Sequence, residues 1–196
     1  MKNTLISAAI ALSFSLSAVA QSTAWQLDPA HSSAQFAVKH MGISTIRGTF
    51  TKVSGTAHYD PADTKQDSAD VTIDATSVDS RVEMRDNDLR SDHFFDVQKY
   101  PTITFKSTKV EASSPDKLKI TGDLTIRGVT KPVTLDVDGP SKPVKDGHGR
   151  VHMGVSATTT VNRTDFGMTG YQGMVGNDVI LTIDAELLQP VSAGTK

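Results

Sequence analysis

The stretch LKITGDLTIRGVTKPVTLDV, residues 118–137, carries the alternation that decides the fold. From Leu118 to Ile126 the even-numbered positions are apolar or glycine, whereas the odd-numbered positions are polar. From Val133 to Val137 the odd-numbered positions are apolar. A period of two residues is typical of a β-strand that buries one face and exposes the other.

Comparable runs recur along the chain and are separated by clusters of Gly, Pro, Asp and Ser. They fall at residues 34–38, 49–59, 71–75, 102–106, 151–157 and 179–187. Together with the two runs of the opening stretch, they predict an all-β chain with about eight antiparallel strands.

Eight antiparallel strands can pack as a sandwich or close as a barrel, and periodicity alone does not separate the two. Glycines inside the strand-like runs favour closure, because they permit the bends and close backbone approaches that curl a sheet. They are Gly48, Gly55, Gly122 and Gly154. Most apolar residues in the runs are also of medium size, and this is the second feature that favours closure.

An eight-stranded barrel has an interior that side chains fill or that stays open for one small ligand. We predict that the interior is lined by twelve apolar residues that share a face within their strands. A register error of one residue would turn that face outward. The predicted ligand-binding residues are Phe36, Val38, Phe50, Val71, Ile73, Ile103, Phe105, Leu124, Ile126, Leu135, Val155 and Val179.

The charge-dense stretch DSRVEMRDNDLRSDHFF, residues 79–95, predicts one short surface helix near residues 80–91. Ser80 and Glu83 have the spacing of a capping box. Val82 and Leu89, seven residues apart, mark a narrow apolar stripe.

A helix of this length needs a surface to lie on, so we expect it to cover one end of the sheet. In one interpretation it is a cap with Leu89, Phe94 and Phe95 as a plug. In the other it is also a gate, in which Arg81, Arg85 or Arg90 meets an anionic head group at the rim.

The first twenty residues have the features of a cleaved signal peptide. Lys2 precedes an apolar run, and Ala18-Val19-Ala20 matches a signal-peptidase site. We therefore predict a signal peptide at 1–20, one β-barrel domain at 21–189, a tail at 190–196 and location in the periplasm. A retained N-terminal anchor is the alternative, although the run is short for a membrane span.

Composition argues against several classes of function. The net charge is −2 and the basic residues are scattered, which disfavours binding to nucleic acid. The chain has no cysteine, and its six histidines form no HxH or HxxxH pair that strand or helix geometry would bring to a single metal ion. The motifs GxSxG and HExxH and the glycine-rich phosphate loops are absent from the mature chain. We predict no metal, no cofactor and no catalytic residue.

The stretch NRTDFGMTGYQGMVGND, residues 162–178, combines four glycines with Phe166, Met168, Tyr171 and Met174. It is either a hairpin connection whose apolar groups pack locally or a mouth loop whose methionines adapt to an apolar ligand.

Six ordered motifs resemble the YceI-like family of bacterial periplasmic proteins. They are WQLDPAHSSAQFAVKH, IRGTF, TSVDSRVEMRDNDLRSDHFFDVQKYP, ITFKST, GDLTIRGVTKPVTL and NRTDFG. The resemblance implies an extended, lipocalin-like antiparallel barrel whose apolar lumen holds an isoprenoid chain or a similar long amphiphile. It also implies roles in transport, storage or stress response, and it keeps an isoprenoid quinone among the ligands.

The leading hypothesis is a periplasmic carrier that binds an isoprenoid or another long-chain lipid in the lumen. One alternative is a secreted lipid-modifying enzyme that uses His31 or His40 as a base. Another is a structural β-domain that contacts other envelope proteins. We expect no integral membrane span, and a homodimer is one open stoichiometry.

Overall fold

The computed structural model describes residues 23–61 and 63–190. The predicted signal peptide, the alternative anchor and nearly all of the predicted tail lie outside these residues and stay predictions. Within the described residues, no helix is long and apolar enough to cross a membrane. The strands are β1 (Thr23–Leu27), β2 (Ser33–His40), β3 (Ser44–Phe50), β4 (Val53–Tyr59), β5 (Ser68–Asp74), β6 (Val78–Asp79), β7 (Thr102–Ser114), β8 (Lys117–Ile126), β9 (Val129–Asp138), β10 (Val144–Lys145), β11 (Val151–Asn162) and β12 (Val175–Leu188), and the α-helix is α1 (Glu83–Arg90).

Strand β12 closes the sheet into a barrel. One edge pairs with β11, from Asn162 opposite Asp178 to His152 opposite Leu188. The other edge pairs with β2 and, near its C-terminal end, with β1. Because β1 connects through β4, β5, β7, β8 and β9 back to β11, the hydrogen-bonded neighbours form a complete ring.

Three pairs of short strands act as single bent strands of this ring. β2 pairs with β3 while β1 pairs with β4, so β1 and β2 form one bent strand beside another made of β3 and β4. Likewise, β5 pairs with β4 and β6 pairs with β3, so β5 and β6 form the third bent strand. Counted in this way, the barrel has eight antiparallel strands, and the predicted barrel with one short helix is confirmed. The two-residue strand β10 only extends the sheet beside β11.

Two of the glycines in the strands make room for aromatic rings inside the barrel. A Cβ atom on Gly48 would lie 2.3 Å from the ring of Phe36, its partner across the β2–β3 ladder. A Cβ atom on Gly122 would lie 2.5 Å from the ring of Phe105. At both positions, therefore, the predicted close approach is that of an aromatic side chain to the backbone of the glycine.

Replacing Gly48 by alanine is expected to lower the free energy of unfolding by about 1–2 kcal/mol, because the Phe36 ring must leave its position. Chemical denaturation of the wild-type protein and of Gly48→Ala measures this difference. Gly147→Ala is the control, since no atom lies within 4 Å of the added Cβ there. Equal stability of the two variants would contradict the close-packing explanation.

The hydrophobic core lies inside the barrel and has two parts. The larger cluster includes Trp25, Phe36 and Phe105 and extends towards α1. A smaller cluster of Val110, Leu118, Val137 and Ala157 lies at the other end. The interior is therefore lined by apolar side chains along its whole length.

The start of α1 corrects the predicted capping box. The helix begins at Glu83, and its N-cap residue, Val82, has no side-chain group that can cap it. The Ser80 hydroxyl donates to the buried carboxylate of Asp86 instead of capping the helix, and the Ser80 backbone N–H donates to the same oxygen at 2.8 Å. Val82 is exposed, so the predicted apolar stripe is wrong and Leu89 alone packs against the core.

Candidate functional site

The barrel encloses an elongated cavity with an almost entirely apolar wall. The centre of a water molecule could occupy about 240 Å³ of this space. Side chains from all eight barrel strands line it, from Leu27 and Met153 at one end to Phe94, Phe95 and Met168 at the other. The shape and chemistry suit a long apolar chain.

All twelve residues predicted to face the interior line this cavity. The register explains why, since residues directly opposite each other in an antiparallel pair point to the same face. Val71 lies opposite Phe105, and Val38 lies opposite Val179. Their contact with a ligand stays a prediction.

One end of the cavity is covered by α1, the turn that follows it, and the connection between β11 and β12. We call this end the capped end. The Phe95 ring meets the Phe50 ring edge-on at 5.4 Å, and the Phe94 ring stacks on Tyr171 at 6.0 Å. Leu89, Phe94 and Phe95 line the cavity, as the plug interpretation expects.

The three arginines predicted as a head-group gate lie away from the cavity wall. Arg85 donates to the hydroxyl and the carbonyl oxygen of Ser80. Arg90 donates to the carbonyl oxygens of Thr76 and Val78. Arg81 is exposed, with a left-handed backbone conformation at φ 65°. Arg85 and Arg90 therefore brace the segment before the helix, and the geometry gives the gate no support.

A fourth arginine, Arg163, lines the cavity at the capped end and was missed in the sequence analysis. Its side chain is 2% exposed. Its guanidinium lies 5.8 Å from the centre of the Phe94 ring. Burial lowers the pKa of Arg163, as expected for a cation removed from water. Its position directly after strand β11, within NRTDFG, is the one signal that the sequence offers.

The connection that follows β11 is an ordered turn. Residues Arg163–Phe166 form a short 3₁₀ helix, which the Asn162 side chain caps by accepting from the Thr164 backbone N–H. Phe166 and Met168 are buried, which agrees with local packing, whereas Tyr171 is half-exposed. Of the connection's methionines, Met168 lines the cavity.

A polar cluster occupies the surface at the opposite end. His31 bonds to Asp28 at 2.8 Å, and His152 bonds to Glu186 at 2.5 Å. Asp28, His31 and Glu186 each place one potential metal-ligand atom, a carboxylate oxygen or a ring nitrogen, within 4.8 Å of the other two. Neither His31 nor His40, the bases of the enzyme alternative, lines the cavity.

We expect the pKa of His152 to fall towards its ordinary value in Glu186→Gln, because the hydrogen bonds that its ring donates to the Glu186 and Asp146 carboxylates raise it. Since the folded-state pKa is raised, the stabilisation is complete below about pH 6.5 and fades as pH rises through the folded value. NMR titration of the imidazole measures this change. Glu83→Gln, on α1, is the control, and an unaltered His152 titration in Glu186→Gln would contradict the assignment.

The match to known proteins agrees with this architecture. The YceI-like domain covers residues 25–187, which is most of the described barrel. The chain belongs to the YceI-like family. Protein YceI of Escherichia coli O157:H7 is 38% identical over 194 residues, which are 96% of this chain and 99% of that protein.

Solved structures show the same lipocalin-like barrel. BcnA of Burkholderia cenocepacia superposes with a TM-score of 0.73 at 27% identity, covering 82% of this YceI-like chain and 98% of BcnA. A polyisoprenoid-binding domain from Saccharophagus degradans, implicated in plant cell wall breakdown, superposes with a TM-score of 0.62. It is 17% identical and covers 86% of this chain and 99% of that domain, so the likeness concerns the fold.

Proposed function

We propose that this YceI-like protein binds an isoprenoid or a similar long-chain amphiphile inside its barrel and carries it in the periplasm. The observation that supports the proposal most is the continuous apolar cavity along the barrel axis. The signal-like residues 1–20 support export. The polyisoprenoid-binding domain of the same fold makes an isoprenoid the first ligand to test.

The length of the cavity favours a chain over a compact metabolite. Strand β12 lines the cavity from Val175 to Leu187. At about 3.3 Å per residue and a tilt of about 40°, this interval corresponds to roughly 30 Å along the axis. An extended hydrocarbon can follow such a tunnel, and an isoprenoid quinone with its long tail is one member of this class.

The energetics favour the same ligand class. Each buried methylene contributes about 0.8 kcal/mol, so each five-carbon isoprene unit contributes about 3–4 kcal/mol before the costs of association. Affinity should therefore rise with chain length until the cavity is full.

The two alternatives fit the structure less well. A lipid-modifying enzyme would need its base beside the ligand, and neither His31 nor His40 reaches the cavity wall. A purely structural domain needs no interior space, whereas this barrel holds a continuous one.

Native mass spectrometry of the protein exported with its own leader tests the proposal. We expect a 1:1 complex with a long-chain lipid, which tandem fragmentation of the released ligand identifies. The same spectra report whether the protein is a monomer or a homodimer. A ligand-free protein that also fails to take up added isoprenoids would contradict the proposal.

A further inference from the structure

Within the described part of the cavity wall, Arg163 is the one side chain that is both charged and buried. All other buried residues that line the cavity are apolar. An ionised group in such surroundings needs compensation by hydrogen bonds or by an opposite charge.

The protein supplies the hydrogen bonds but not the charge. The Arg163 guanidinium donates to the carbonyl oxygens of Gly176 at 2.9 Å, Met168 at 2.7 Å and Val175 at 3.1 Å. Among residues 23–61 and 63–190, no carboxylate forms an ion pair with it. A guanidinium has five N–H groups, so these three bonds leave donors that can face the cavity.

The opposite end of the cavity has the opposite polarity. Asp67 lines the wall there, and its Oδ2 atom is buried with no hydrogen-bond partner. Burial raises the pKa of Asp67. An anion in the lumen would therefore be attracted towards Arg163 and repelled from an ionised Asp67.

We infer that Arg163 binds an anionic, oxygen-bearing head group, a phosphate or a carboxylate, on the chain held in the cavity. The planar guanidinium matches both groups, and the apolar surroundings strengthen the interaction. The ligand then lies with its head beneath Phe94 at the capped end and its tail towards Met153. This inference rests on the proposed function and adds the head-group class and the orientation.

Ligands with the same chain and different head groups test the inference. Binding of geranylgeranyl monophosphate is compared with geranylgeraniol, and hexadecanoate with hexadecanol, by isothermal titration calorimetry. We expect at least one anion to bind at least about tenfold more tightly than its alcohol, which equals about 1.4 kcal/mol. The two pairs show whether the site selects phosphate, carboxylate or both.

Substitutions then assign the preference to Arg163. Arg163→Met should bind the alcohols normally and lose the preference for the anion, whereas Arg163→Lys should keep part of it. Arg90→Met is the control, because Arg90 braces backbone carbonyls outside the cavity. If Arg163→Met does not fold, the wild-type comparison and Arg163→Lys decide.

Three outcomes separate this inference from the proposed function. Equal affinity of wild type for each anion and its alcohol overturns the inference and leaves the proposed function standing. An anion preference that survives in folded Arg163→Met also overturns it. Failure of all four ligands to bind contradicts both.

Discussion

Thr159→Trp should abolish tight binding of long chains while the barrel stays folded. Thr159 lines the cavity near its middle, opposite Leu181 on β12. An indole at this position would occupy the space of at least one isoprene unit. The loss of about 3–4 kcal/mol of buried hydrocarbon corresponds to binding weakened about 100-fold or more. Displacement of a fluorescent fatty acid measures the effect.

The neighbouring residue provides a matched control for this substitution. Thr158 lies on the same strand, is exposed and does not line the cavity. Thr158→Trp should therefore bind the fluorescent chain as wild type does. Equal binding by both variants, with both folded by circular dichroism, would mean that the chain binds outside the barrel.

Asp86→Ala should lower the free energy of unfolding by about 3 kcal/mol. The Asp86 carboxylate is buried and accepts from both the backbone N–H and the hydroxyl of Ser80. Removing it leaves two buried donors without their acceptor. The loss should loosen the capped end first, because the Ser80 hydroxyl also accepts from Arg85. Urea denaturation gives the stability, and hydrogen exchange locates the loosened residues.

The exposed Asp92, also at the capped end, is the control for this charge removal. Asp92→Ala should change the stability by less than about 0.5 kcal/mol. If Asp86→Ala lowered the free energy of unfolding no more than Asp92→Ala does, the Asp86 carboxylate would not be the group that anchors Ser80. Exchange that increased uniformly over the barrel would contradict a local effect.

The interior wall could be predicted from the sequence because alternation is a property of each strand alone. Once Phe105 is assigned inward, its antiparallel partners Val71 and Leu124 must face the same way. Closure of the sheet was harder to predict, because it depends on hydrogen bonds from one edge of β12 to β11 and from its other edge to β1 and β2. Pairing between strands that are far apart in the sequence does not alter the apolar–polar alternation within either strand.

The capped end was predicted less well because its contacts are not periodic. Ser80 and Glu83 have the spacing of a capping box, yet Ser80 bonds to Asp86, which buries its carboxylate six positions away. The gate was assigned to arginines of the helix segment, which lie away from the cavity wall. Arg163 lies in a connection instead of a strand, so alternation could not assign it to the interior.

The most direct test of the central claim is affinity against chain length for a series of prenols with two, three, four and six isoprene units. If the chain lies inside the barrel, affinity should rise at least about tenfold with each early unit and then level off as the cavity fills. Equal affinity for the shortest and longest prenols would contradict an internal tunnel as the binding site.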